Sequence, residues 1–580
     1  MQKTKIICTI GPASEDPVIL KEMILCGMNV ARLNFSHGTH AEHLAKVEGV
    51  KVLRQELKRP VAIMLDTKGP EIRIKTFENK VVELESGDMF TLTTRDVVGT
   101  KEIVSVTFDG LPRNVKKGTR ILLDDGLIEL VVDKVSGTDI ACRVTFGGKL
   151  SDRKGLNLPG VSVDMPYISE TDKADLEFAY ENDVDYIALS FVRSAKDVLQ
   201  VKSFMSGFGV NNCELISKIE NMEGVENIDE IIRVSDGIMV ARGDMGVEIP
   251  FEELPGIQKK LIEKCYRAGK KVITATQMLE SMIRNPRPTR AEITDIANAI
   301  YDGTSAIMLS GETASGRFPV ESIKTMVKIA LKTEADIDYE ARFRELRPDV
   351  SHNITDAISH ATCQAAHDLE AAAIVAVTMN GSAPRMISRF RPKIKIIAVT
   401  PNPKTYMQLA MSWGVVPLLS EYFAASSQVF EDATERVLEA GLANEGDLVV
   451  ITGSASFQSS VTDALQIHVM GNVIAGGIGY GESAVSSKAC VISERKAFSD
   501  FADGSIIVID KTTTEALHLL RRAKGVVTEE EFATSGIAAA AIALAIPLIT
   551  SVTDATKLIS DGISITIDPL RGTVCNGVKG

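Results

Sequence analysis

Eight short apolar runs, each ending in polar or glycine-containing residues, constrain the fold of this chain more than any other feature. They lie at residues 4–9, 28–33, 61–66, 186–191, 214–219, 237–241, 272–276 and 306–310. Helix-like stretches such as residues 225–234 and 256–268 separate most of them. Continuous apolar runs are typical of parallel strands that are buried on both faces. Eight such strands that alternate with helices predict a (β/α)8 TIM barrel.

A second constraint is the distance between the third and fourth runs, which is far too long for one connection in such a barrel. This stretch has strand-like runs of its own at residues 81–84, 89–93, 121–123, 127–132 and 141–145. Turn signals such as Gly87-Asp88 and Asp125-Gly126 separate them. We interpret the stretch as a small β-barrel domain inserted into a barrel loop, where it acts as a lid.

The pattern starts again after the eighth run, as expected for 580 residues, which exceed what one hydrophobic core can organise. Runs at 374–378, 394–400, 415–419 and 448–452 predict an open-sheet α/β domain. Further runs near 489–492, 506–509 and 563–567 predict another α/β segment. The expected domains are a barrel at 1–69 and 167–344, the lid at 70–166, the open-sheet domain at 345–472 and an extension at 473–580.

The composition narrows the class of protein. A formal net charge of −13 disfavours general binding to nucleic acid, because an acidic surface repels phosphate backbones. The start of the chain has no long apolar run, and the most apolar stretch, residues 537–550, is shorter than the ~18 residues of a membrane span. Eight cysteines include no C-x-x-C pair. We therefore expect a reduced cytoplasmic protein that binds neither membranes nor nucleic acid.

Charged and polar side chains follow almost every predicted strand of the barrel. Functional groups in this fold lie just beyond the carboxyl ends of the strands, so these residues predict a site. They are Arg32, Asn34 and Ser36; Asp66, Thr67, Lys68 and Arg73; Arg193; Lys218 and Glu220; Arg242 and Asp244; Thr276 and Gln277; and Ser310 and Glu312.

The chemistry of these groups points to phosphoryl transfer. Glu220 and Asp244 are hard oxygen ligands that suit Mg²⁺, which keeps several waters and binds substrate phosphate. Arg32, Arg73 and Lys218 are suited to clamp a phosphoryl group. The turn at residues 243–244 offers backbone N–H groups to an anion such as a carboxylate. No pair of nucleophile and base is evident, which fits direct transfer, where positioning and charge dominate.

Each residue also has an ordinary interpretation. Lys218 and Glu220 alone predict a surface ion pair, and Asp244 alone predicts a turn residue. Ser36 alone is typical of a helix N-cap, and His37 alone of a solvated side chain. Their recurrence at consecutive strand ends favours a functional site.

Seven motifs then resemble those of the pyruvate kinase family, in the family's order, and the resemblance covers about residues 1–471. They are residues 3–14 (KTKIICTIGPAS), 31–38 (ARLNFSHG), 65–73 (LDTKGPEIR), 216–220 (ISKIE), 239–244 (MVARGD), 275–281 (ATQMLES) and 308–313 (MLSGET). The resemblance implies phosphoryl transfer from phosphoenolpyruvate to ADP, the last step of glycolysis, giving pyruvate and ATP. It also implies Mg²⁺ (or Mn²⁺) and K⁺ as cofactors, a homotetramer and allosteric regulation.

The resemblance assigns roles residue by residue. Lys218 stabilises charge on the phosphoryl group and the enolate, and Arg32 clamps phosphate. The backbone of Gly243 and Asp244 holds the substrate carboxylate together with Thr276, near which a water network protonates the enolate. The implied ligands are Glu220 and Asp244 for Mg²⁺; Asn34, Ser36, Asp66 and Thr67 for K⁺; and Asn34, His37, Arg73 and Lys154 for the nucleotide.

Glu71 carries separate information. Family members that need K⁺ have Glu at this position, whereas the otherwise similar K⁺-independent members have Lys. The resemblance therefore implies K⁺ dependence.

The open-sheet domain resembles the family's regulatory domain. Thr378, Asn380, Gly381 and Ser382 follow a predicted strand and precede a helix, where a phosphorylated effector such as a sugar phosphate or AMP would bind. An ordinary strand-to-helix turn explains the same residues equally well.

The extension resembles the mobile, swivelling phosphohistidine domain of enzymes that use phosphoenolpyruvate. The matching residues are 479–484, 526–530, Thr534-Ser535, Ile546-Pro547, Asp568 and Gly572. Gly536 stands where the phosphate-carrying histidine would be, and glycine has no nucleophile, so this chemistry is excluded. A structural or interface domain and a modulator of the regulatory domain remain, and the former is favoured. Such an extension points to a bacterial source.

Two other functions fit part of the pattern. A metal-dependent aldolase or lyase acting on pyruvate-type substrates also uses Glu and Asp beside an enolate, but needs neither the lid nor Arg32 and Arg73. A catalytically dead sensor of phosphorylated metabolites would have lost Lys218, Glu220 or Asp244, and all three are present.

Overall fold

The barrel predicted from the eight apolar runs is confirmed. The computed structural model describes residues 2–209, 213–345, 353–422, 426–454, 461–471, 473–492 and 501–577. Eight parallel strands close into a barrel. They are Lys5–Thr9, Val30–Asn34, Ala62–Asp66, Tyr186–Leu189, Glu214–Ile219, Gly237–Ala241, Lys271–Ala275 and Ala306–Leu309.

Helices surround the barrel or follow directly on its strands. They are Pro17–Cys26, His40–Glu56, Glu170–Glu181, Ala195–Ser206, Met222–Glu226, Ile228–Val234, Arg242–Glu248, Leu254–Arg267, Arg290–Asp302, Gly311–Ala314, Pro319–Asp336 and Tyr339–Glu345, with a 3-10 turn at Glu280–Ile283. Capping boxes start three of them, and such caps contribute roughly 1 kcal/mol each. The interpretation of Ser36 as an N-cap is wrong, because Thr39 caps the helix His40–Glu56.

Both faces of each barrel strand are buried, which explains why the strands read as continuous apolar runs. Alternate residues such as Ile6 and Cys8 pack against the surrounding helices. The intervening ones, such as Ile7, fill the barrel interior together with Met64 and Met239. Each such side chain is worth roughly 1.5–3 kcal/mol when fully buried.

The stretch between the third and fourth barrel strands forms the expected all-β insert. Its strands make a seven-stranded sheet and a two-stranded sheet. It has a core of its own, which includes Phe90, Leu92 and Leu130. The strands are Ile72–Arg73, Val81–Leu84, Met89–Thr93, Ile103–Ser105, Arg120–Leu123, Ile128–Ser136, Asp139–Phe146, Gly148–Ser151 and Gly155–Asn157, with a short helix Leu111–Asn114.

Contacts divide the chain into two compact units. The first comprises residues 1–351, 380–392 and 402–417, and the second comprises residues 352–379, 393–401 and 418–580. Besides the barrel and its insert, the first unit contains helices Ser382–Arg389 and Pro403–Gln408 and the 3-10 turn Leu409–Met411.

The second unit begins with an open α/β sheet, as expected. The strand order is Val415–Leu419, Lys395–Thr400, Ala373–Val377, Leu448–Gly453 and Ala464–Val469, and the division between the units passes through the first of these. The last strand runs antiparallel to its neighbour and was not predicted. Helices Ile354–Asp368 and Ser426–Glu439 belong to the same part of the chain.

The extension folds as the predicted α/β segment around an eight-stranded sheet. In spatial order the strands are Val473–Gly476, Thr573–Asn576, Ser564–Asp568, Val485–Ile492, Ile506–Ile509, Gly525–Thr528, Leu548–Thr550 and Ile478–Tyr480. Its helices are Thr514–Leu519, Gly536–Ala543 and Ala555–Leu558, with a 3-10 turn at Leu520–Arg522. The Ala-rich stretch thus divides into a helix and a strand. Within the described residues, no helix combines the length and apolarity needed to cross a membrane.

Candidate active site

The ammonium group of Lys218 lies among three acceptors at the carboxyl end of the barrel. Its Nζ is 3.1 Å from Asp66 Oδ1 and 3.0 Å from Glu220 Oε1, and it donates a hydrogen bond to Ser190 Oγ at 2.7 Å. Burial opposes the charged form, but Asp66 and Glu220 outweigh it and raise the pKa of Lys218 above its usual value. Lys218 is therefore a fixed cation at neutral pH.

A second cation, Arg32, shares the same carboxylate. Its Nε donates to Asp66 Oδ2 at 2.6 Å, and its Nη1 donates to Thr9 Oγ1 at 2.9 Å. Burial alone would raise the pKa of Asp66, but Arg32 and Lys218 together lower it. Asp66 therefore stays ionised and holds the two cations side by side, an arrangement suited to an anionic substrate group.

The two carboxylate oxygens of Glu220 have different surroundings. Its Oε2 accepts the Phe191 N–H at 2.6 Å, whereas the buried Oε1 accepts no hydrogen bond although Lys218 Nζ is close. Burial raises the pKa of Glu220 to about 7, with a further increase from Asp244 and an opposing decrease from Lys218. A buried carboxylate oxygen that accepts no hydrogen bond fits a metal ligand.

Asp244 lies in the helix Arg242–Glu248, which replaces the turn that we predicted at residues 243–244. Among the described residues, no three His, Cys, Asp or Glu side chains form a metal-binding group. A metal here would take only Glu220 and Asp244 from these carboxylates. That donor set fits Mg²⁺, which retains waters and binds substrate oxygens.

Thr276 lies in a strained turn just after the seventh barrel strand. Its φ is 68° and that of Gln277 is 54°, a conformation that costs roughly 1–3 kcal/mol per residue and clusters at functional sites. Thr276 Oγ1 accepts the Gly243 N–H at 2.8 Å. The structure therefore brings together Gly243 and Thr276, two of the residues predicted to bind a carboxylate.

The residues predicted to bind K⁺ lie at the ends of two neighbouring strands. Asn34 and Asp66 are in register on the second and third strands, and Thr67 follows directly. Asn34 Oδ1 accepts the N–H of Ser36, whose side chain is exposed, at 3.2 Å. All four residues offer oxygen atoms, the donor type that hard cations prefer.

The residues predicted to bind the nucleotide divide between the barrel and the insert. Asn34 and the exposed His37 lie on the barrel. Arg73 contacts Glu71 Oε1 at 2.8 Å and the Arg153 carbonyl at 2.7 Å. Lys154 pairs with Asp124 at 2.8 Å.

A cavity of about 270 Å³ separates the insert from the barrel, and its lining includes Glu71, Asp125, Phe191, Arg193 and Asp244. Burial raises the pKa of Asp125, and Asp244 and Asp124 raise it further. Several carboxylates thus face the cavity. An anionic substrate would require cations there to offset this charge.

Three residues of the site have contacts that the sequence did not reveal. Ser190 Oγ links Lys218 to the Thr67 carbonyl, to which it donates at 2.7 Å. Arg193 donates to the Val163 and Met165 carbonyls at 2.8 and 3.1 Å and so anchors the chain returning from the insert.

The third, Arg242, binds the strained turn. Its Nη2 donates to the Thr276 carbonyl at 2.6 Å. Its position at a predicted strand end was the only signal available from the sequence.

One residue at a strand end, Glu312, instead has a role in the barrel framework. Glu312 is fully buried and accepts the backbone N–H groups of Leu279 at 2.9 Å and Ser310 at 2.8 Å. Its carboxylate therefore ties together the ends of two strands.

The residues predicted to bind an effector belong to both units, Thr378 to the second and Asn380, Gly381 and Ser382 to the first. Thr378 follows the strand Ala373–Val377 and donates its N–H to the Val399 carbonyl at 3.0 Å. Asn380 Oδ1 accepts the Ser382 N–H at 3.0 Å, and Gly381 has a φ of 79°, which favours glycine. The helix Ser382–Arg389 begins there, as predicted.

In the extension, Gly536 is the first residue of the helix Gly536–Ala543. Ser535 caps this helix by accepting the Ala538 N–H, and it donates to Glu530 Oε2 at 2.7 Å. A Cβ atom at residue 536 would lie 3.1 Å from Thr512 Cγ2. The place of the missing histidine is therefore close to Thr512 on one side, although Gly536 itself is exposed.

Comparison with known families gives three matches along the chain. Residues 1–323 match the pyruvate kinase barrel domain, residues 356–468 match the pyruvate kinase alpha/beta domain, and residues 501–572 match the mobile domain of PEP-utilising enzymes.

Individual proteins that are similar to this chain come from the same family. A pyruvate kinase of Geobacillus stearothermophilus is 45% identical over 581 residues, covering 99% of each chain. One of Sporosarcina psychrophila is 44% identical over 584 residues, covering 100% of this chain and 99% of that protein. One of Clostridium acetobutylicum is 49% identical over 472 residues, covering 81% of this chain and 100% of its own length. About a fifth of this chain therefore has no counterpart in that relative.

A solved structure matches the same share of this chain. A pyruvate kinase from Cryptosporidium parvum has a TM-score of 0.77 and 38% identity, and the match covers 81% of this chain and 96% of that one.

Proposed function

The chain belongs to the pyruvate kinase family, and on that premise we propose that it transfers the phosphoryl group of phosphoenolpyruvate to ADP, giving pyruvate and ATP. The observation that carries this proposal is the position of Lys218 and Arg32 on the two oxygens of Asp66. Two fixed cations at the end of a barrel suit an anionic substrate whose charge shifts during the reaction.

In the proposed reaction, a β-phosphate oxygen of ADP attacks phosphorus as the bond to the enol oxygen breaks. Arg32 binds the phosphoryl group, and the Lys218 ammonium stabilises both that group and the enolate that forms. The backbone N–H groups of Gly243 and Asp244 and the hydroxyl of Thr276 hold the carboxylate of the substrate. Protonation of the enolate near Thr276 then gives pyruvate.

Glu220 and Asp244 are the residues that would hold Mg²⁺ (or Mn²⁺). The buried Oε1 of Glu220, which accepts no hydrogen bond and lies in an ion pair with Lys218, supports this assignment. Such a cation, when bound, offsets phosphate charge in a cavity that otherwise carries several carboxylates.

Asn34, Ser36, Asp66 and Thr67 would hold K⁺. Their oxygen donors and the register of Asn34 beside Asp66 support this set. Glu71 forms an ion pair with Arg73, and this pair brings no net positive charge to the site. That is consistent with a need for a monovalent cation.

The nucleotide would bind between the barrel and the insert, at Asn34, His37, Arg73 and Lys154. Arg73 and Lys154 are each held by a carboxylate of the insert, Glu71 and Asp124 respectively. Both cations thus lie on an element that would close over the substrates as a lid.

Family membership supports a proposal for regulation and assembly. A phosphorylated metabolite would bind at Thr378, Asn380, Gly381 and Ser382, the protein would be a homotetramer, and the reaction would be the last step of glycolysis in the cytoplasm. The free thiols of Cys8, Cys26, Cys142 and Cys265 suit a reducing compartment. An effector is tested by its shift of the phosphoenolpyruvate saturation curve, and the tetramer by sedimentation.

The extension would serve as a structural or interface domain. Its match to a mobile domain and the glycine at residue 536 support a role without phosphate transfer.

One assay tests the main proposal. We expect pyruvate to form from phosphoenolpyruvate only when ADP, Mg²⁺ and K⁺ are present. A coupled reaction with a pyruvate reductase measures the pyruvate that forms. Pyruvate formation by carbon–carbon bond cleavage without ADP would instead indicate a lyase. Binding of phosphorylated metabolites without turnover would indicate a sensor.

A further inference from the structure

We propose that Arg242 and Asp295 are positioning residues, which hold the strained turn at Thr276 in the conformation that receives the substrate carboxylate. This inference rests on the proposed function, because it assigns Thr276 and Gly243 to the carboxylate of phosphoenolpyruvate.

The Arg242 guanidinium uses all three of its nitrogens at this turn. Nε donates to the Ala275 carbonyl at 3.2 Å, and Nη2 donates to the Thr276 carbonyl at 2.6 Å. Nη1 lies 2.7 and 2.6 Å from the two carboxylate oxygens of Asp295. The Arg242 side chain is mostly buried, whereas 37% of the Asp295 side chain is exposed, so water competes little for the two carbonyl contacts and more for the contact with Asp295.

The two carbonyls bound by Arg242 flank the position where strain begins. Thr276 and Gln277 both have positive φ values, which is rare for a β-branched residue and rarer for two residues in succession. Such a conformation persists only when the surroundings determine it. The guanidinium supplies this constraint on the backbone.

The same turn is held from a second direction. Gly243, the residue after Arg242, donates its N–H to Thr276 Oγ1 at 2.8 Å. The backbone of residue 243 thus fixes the threonine side chain, while the side chain of residue 242 fixes the threonine backbone. Gly243 and Thr276, two of the proposed carboxylate ligands, are therefore linked to each other and to residue 242.

Asp295 extends this arrangement to the helix Arg290–Asp302. That helix is anchored separately, since Glu292 accepts the Ser281 N–H at 2.7 Å and the Ser281 hydroxyl at 2.6 Å. Two carboxylates of one helix therefore bind the segment after the seventh strand, one directly and one through Arg242. The helix acts as a rigid support for the turn.

The experiment compares Asp295→Ala with Asp302→Ala in the full-length enzyme. Asp302 lies on the same helix and pairs with Lys259. We expect Asp295→Ala to raise the KM for phosphoenolpyruvate at least tenfold while the KM for ADP changes less than twofold. Asp302→Ala should leave both constants within twofold of wild type. An Asp295→Ala enzyme with a phosphoenolpyruvate KM within twofold of wild type would overturn the inference.

A second measurement separates positioning from loss of folding. Asp295→Asn keeps the side-chain volume and one acceptor for Arg242, so its KM should lie between those of wild type and Asp295→Ala. Hydrogen exchange at the amides of residues 276–278 should be faster in both Asp295 variants and unchanged in Asp302→Ala. Unchanged exchange in both Asp295 variants would overturn the inference.

The two proposals fail separately. Absence of pyruvate formation by the wild-type enzyme would contradict the proposed function. The exchange measurement would still decide whether Arg242 and Asp295 hold the turn.

Discussion

Lys218 Nζ lies 3.0 Å from Glu220 Oε1, yet this buried oxygen accepts no hydrogen bond. The ammonium directs a hydrogen bond to Ser190 Oγ instead. An ion pair rather than a hydrogen bond therefore holds Oε1, and a second cation would share this oxygen with Lys218. Lys218 and Glu220 are therefore suited to act on the same substrate. Lys218 would stabilise developing negative charge, and Glu220 would bind the metal.

Replacement of Lys218 by Met should abolish phosphoryl transfer and leave the protein folded. Methionine fills the space but cannot stabilise the charge that develops in the transition state, and loss of such a group typically lowers kcat by about 10²–10³-fold or more. Activity comes from the coupled assay and folding from circular dichroism.

The matched control for Lys218→Met is Lys324→Met, which removes an exposed cation that pairs with Glu22. It should retain wild-type activity. A Lys218→Met enzyme with activity within tenfold of wild type would contradict the role of Lys218.

Binding of Mg²⁺ should depend on pH through Glu220. Its pKa of about 7 lies above the usual carboxyl range, so below pH 7 the metal-free site holds a proton that the metal must displace. Affinity should therefore fall as the pH decreases through 7 and level off above it. Calorimetry in buffers of different ionisation enthalpy measures the protons released, which should approach one per metal ion at pH 6.

The Glu220→Gln variant provides the control for this pH dependence. It should bind Mg²⁺ more weakly and release no proton. Equal proton release by wild type and Glu220→Gln would assign the titration to another group.

The same pKa shift predicts the pH dependence of stability without metal. A carboxyl group whose folded pKa is raised favours the protonated folded state, so its contribution to stability is lost as the pH rises from about 4.5 to about 7. We expect Mg²⁺ to restore stability above pH 7 in wild type and less so in Glu220→Gln. Thermal unfolding at pH 5.5 and 8, with and without Mg²⁺, measures the difference.

The sequence was sufficient to predict the barrel and the grouping of Lys218, Asp66 and Arg32. Buried parallel strands have a strong sequence signal, and adjacent strand ends must lie close together. Four strands of the insert, each of two to four residues, lacked that signal, because runs this short rarely show a distinct pattern. Two other four-residue strands, Val81–Leu84 and Arg120–Leu123, were predicted from their apolar residues.

Contacts that depend on backbone conformation or on distant helices could not be predicted from the sequence. The positive φ of Thr276 has no glycine to indicate it. The partner of Arg242 lies on a helix 53 residues further along the chain, and only the folded barrel brings Asp295 beside it. Ser190 was assigned to a strand rather than to the site, although it bonds to Lys218.

Activity should require K⁺, and Glu71→Lys should relieve this requirement. Glu71 is paired with Arg73, and a lysine at residue 71 would supply a positive charge near the predicted cation site. The measurement is kcat with K⁺, with Na⁺ and without added monovalent cation. Equal wild-type activity in all three conditions would contradict the prediction.

Glu71→Gln is the matched control for this change, because it removes the carboxylate without adding a cation. It should remain dependent on K⁺. If Glu71→Gln also became independent of K⁺, loss of the Glu71–Arg73 pair rather than the new charge would be responsible.

Removal of the extension after residue 471 should leave the chemical mechanism intact. The extension contacts the preceding α/β domain through Arg571, whose guanidinium donates to the Gly446 carbonyl and lies 3.2 Å from Asp447 Oδ1. These contacts join two parts of the second unit, whereas Lys218, Arg32 and Glu220 belong to the first. We therefore expect a kcat within about tenfold of the full-length enzyme.

Arg571→Ala in the full-length chain, which removes the contact but keeps the domain, should have a kcat equal to wild type. A truncated protein that folds but has no turnover would show that the extension takes part in catalysis.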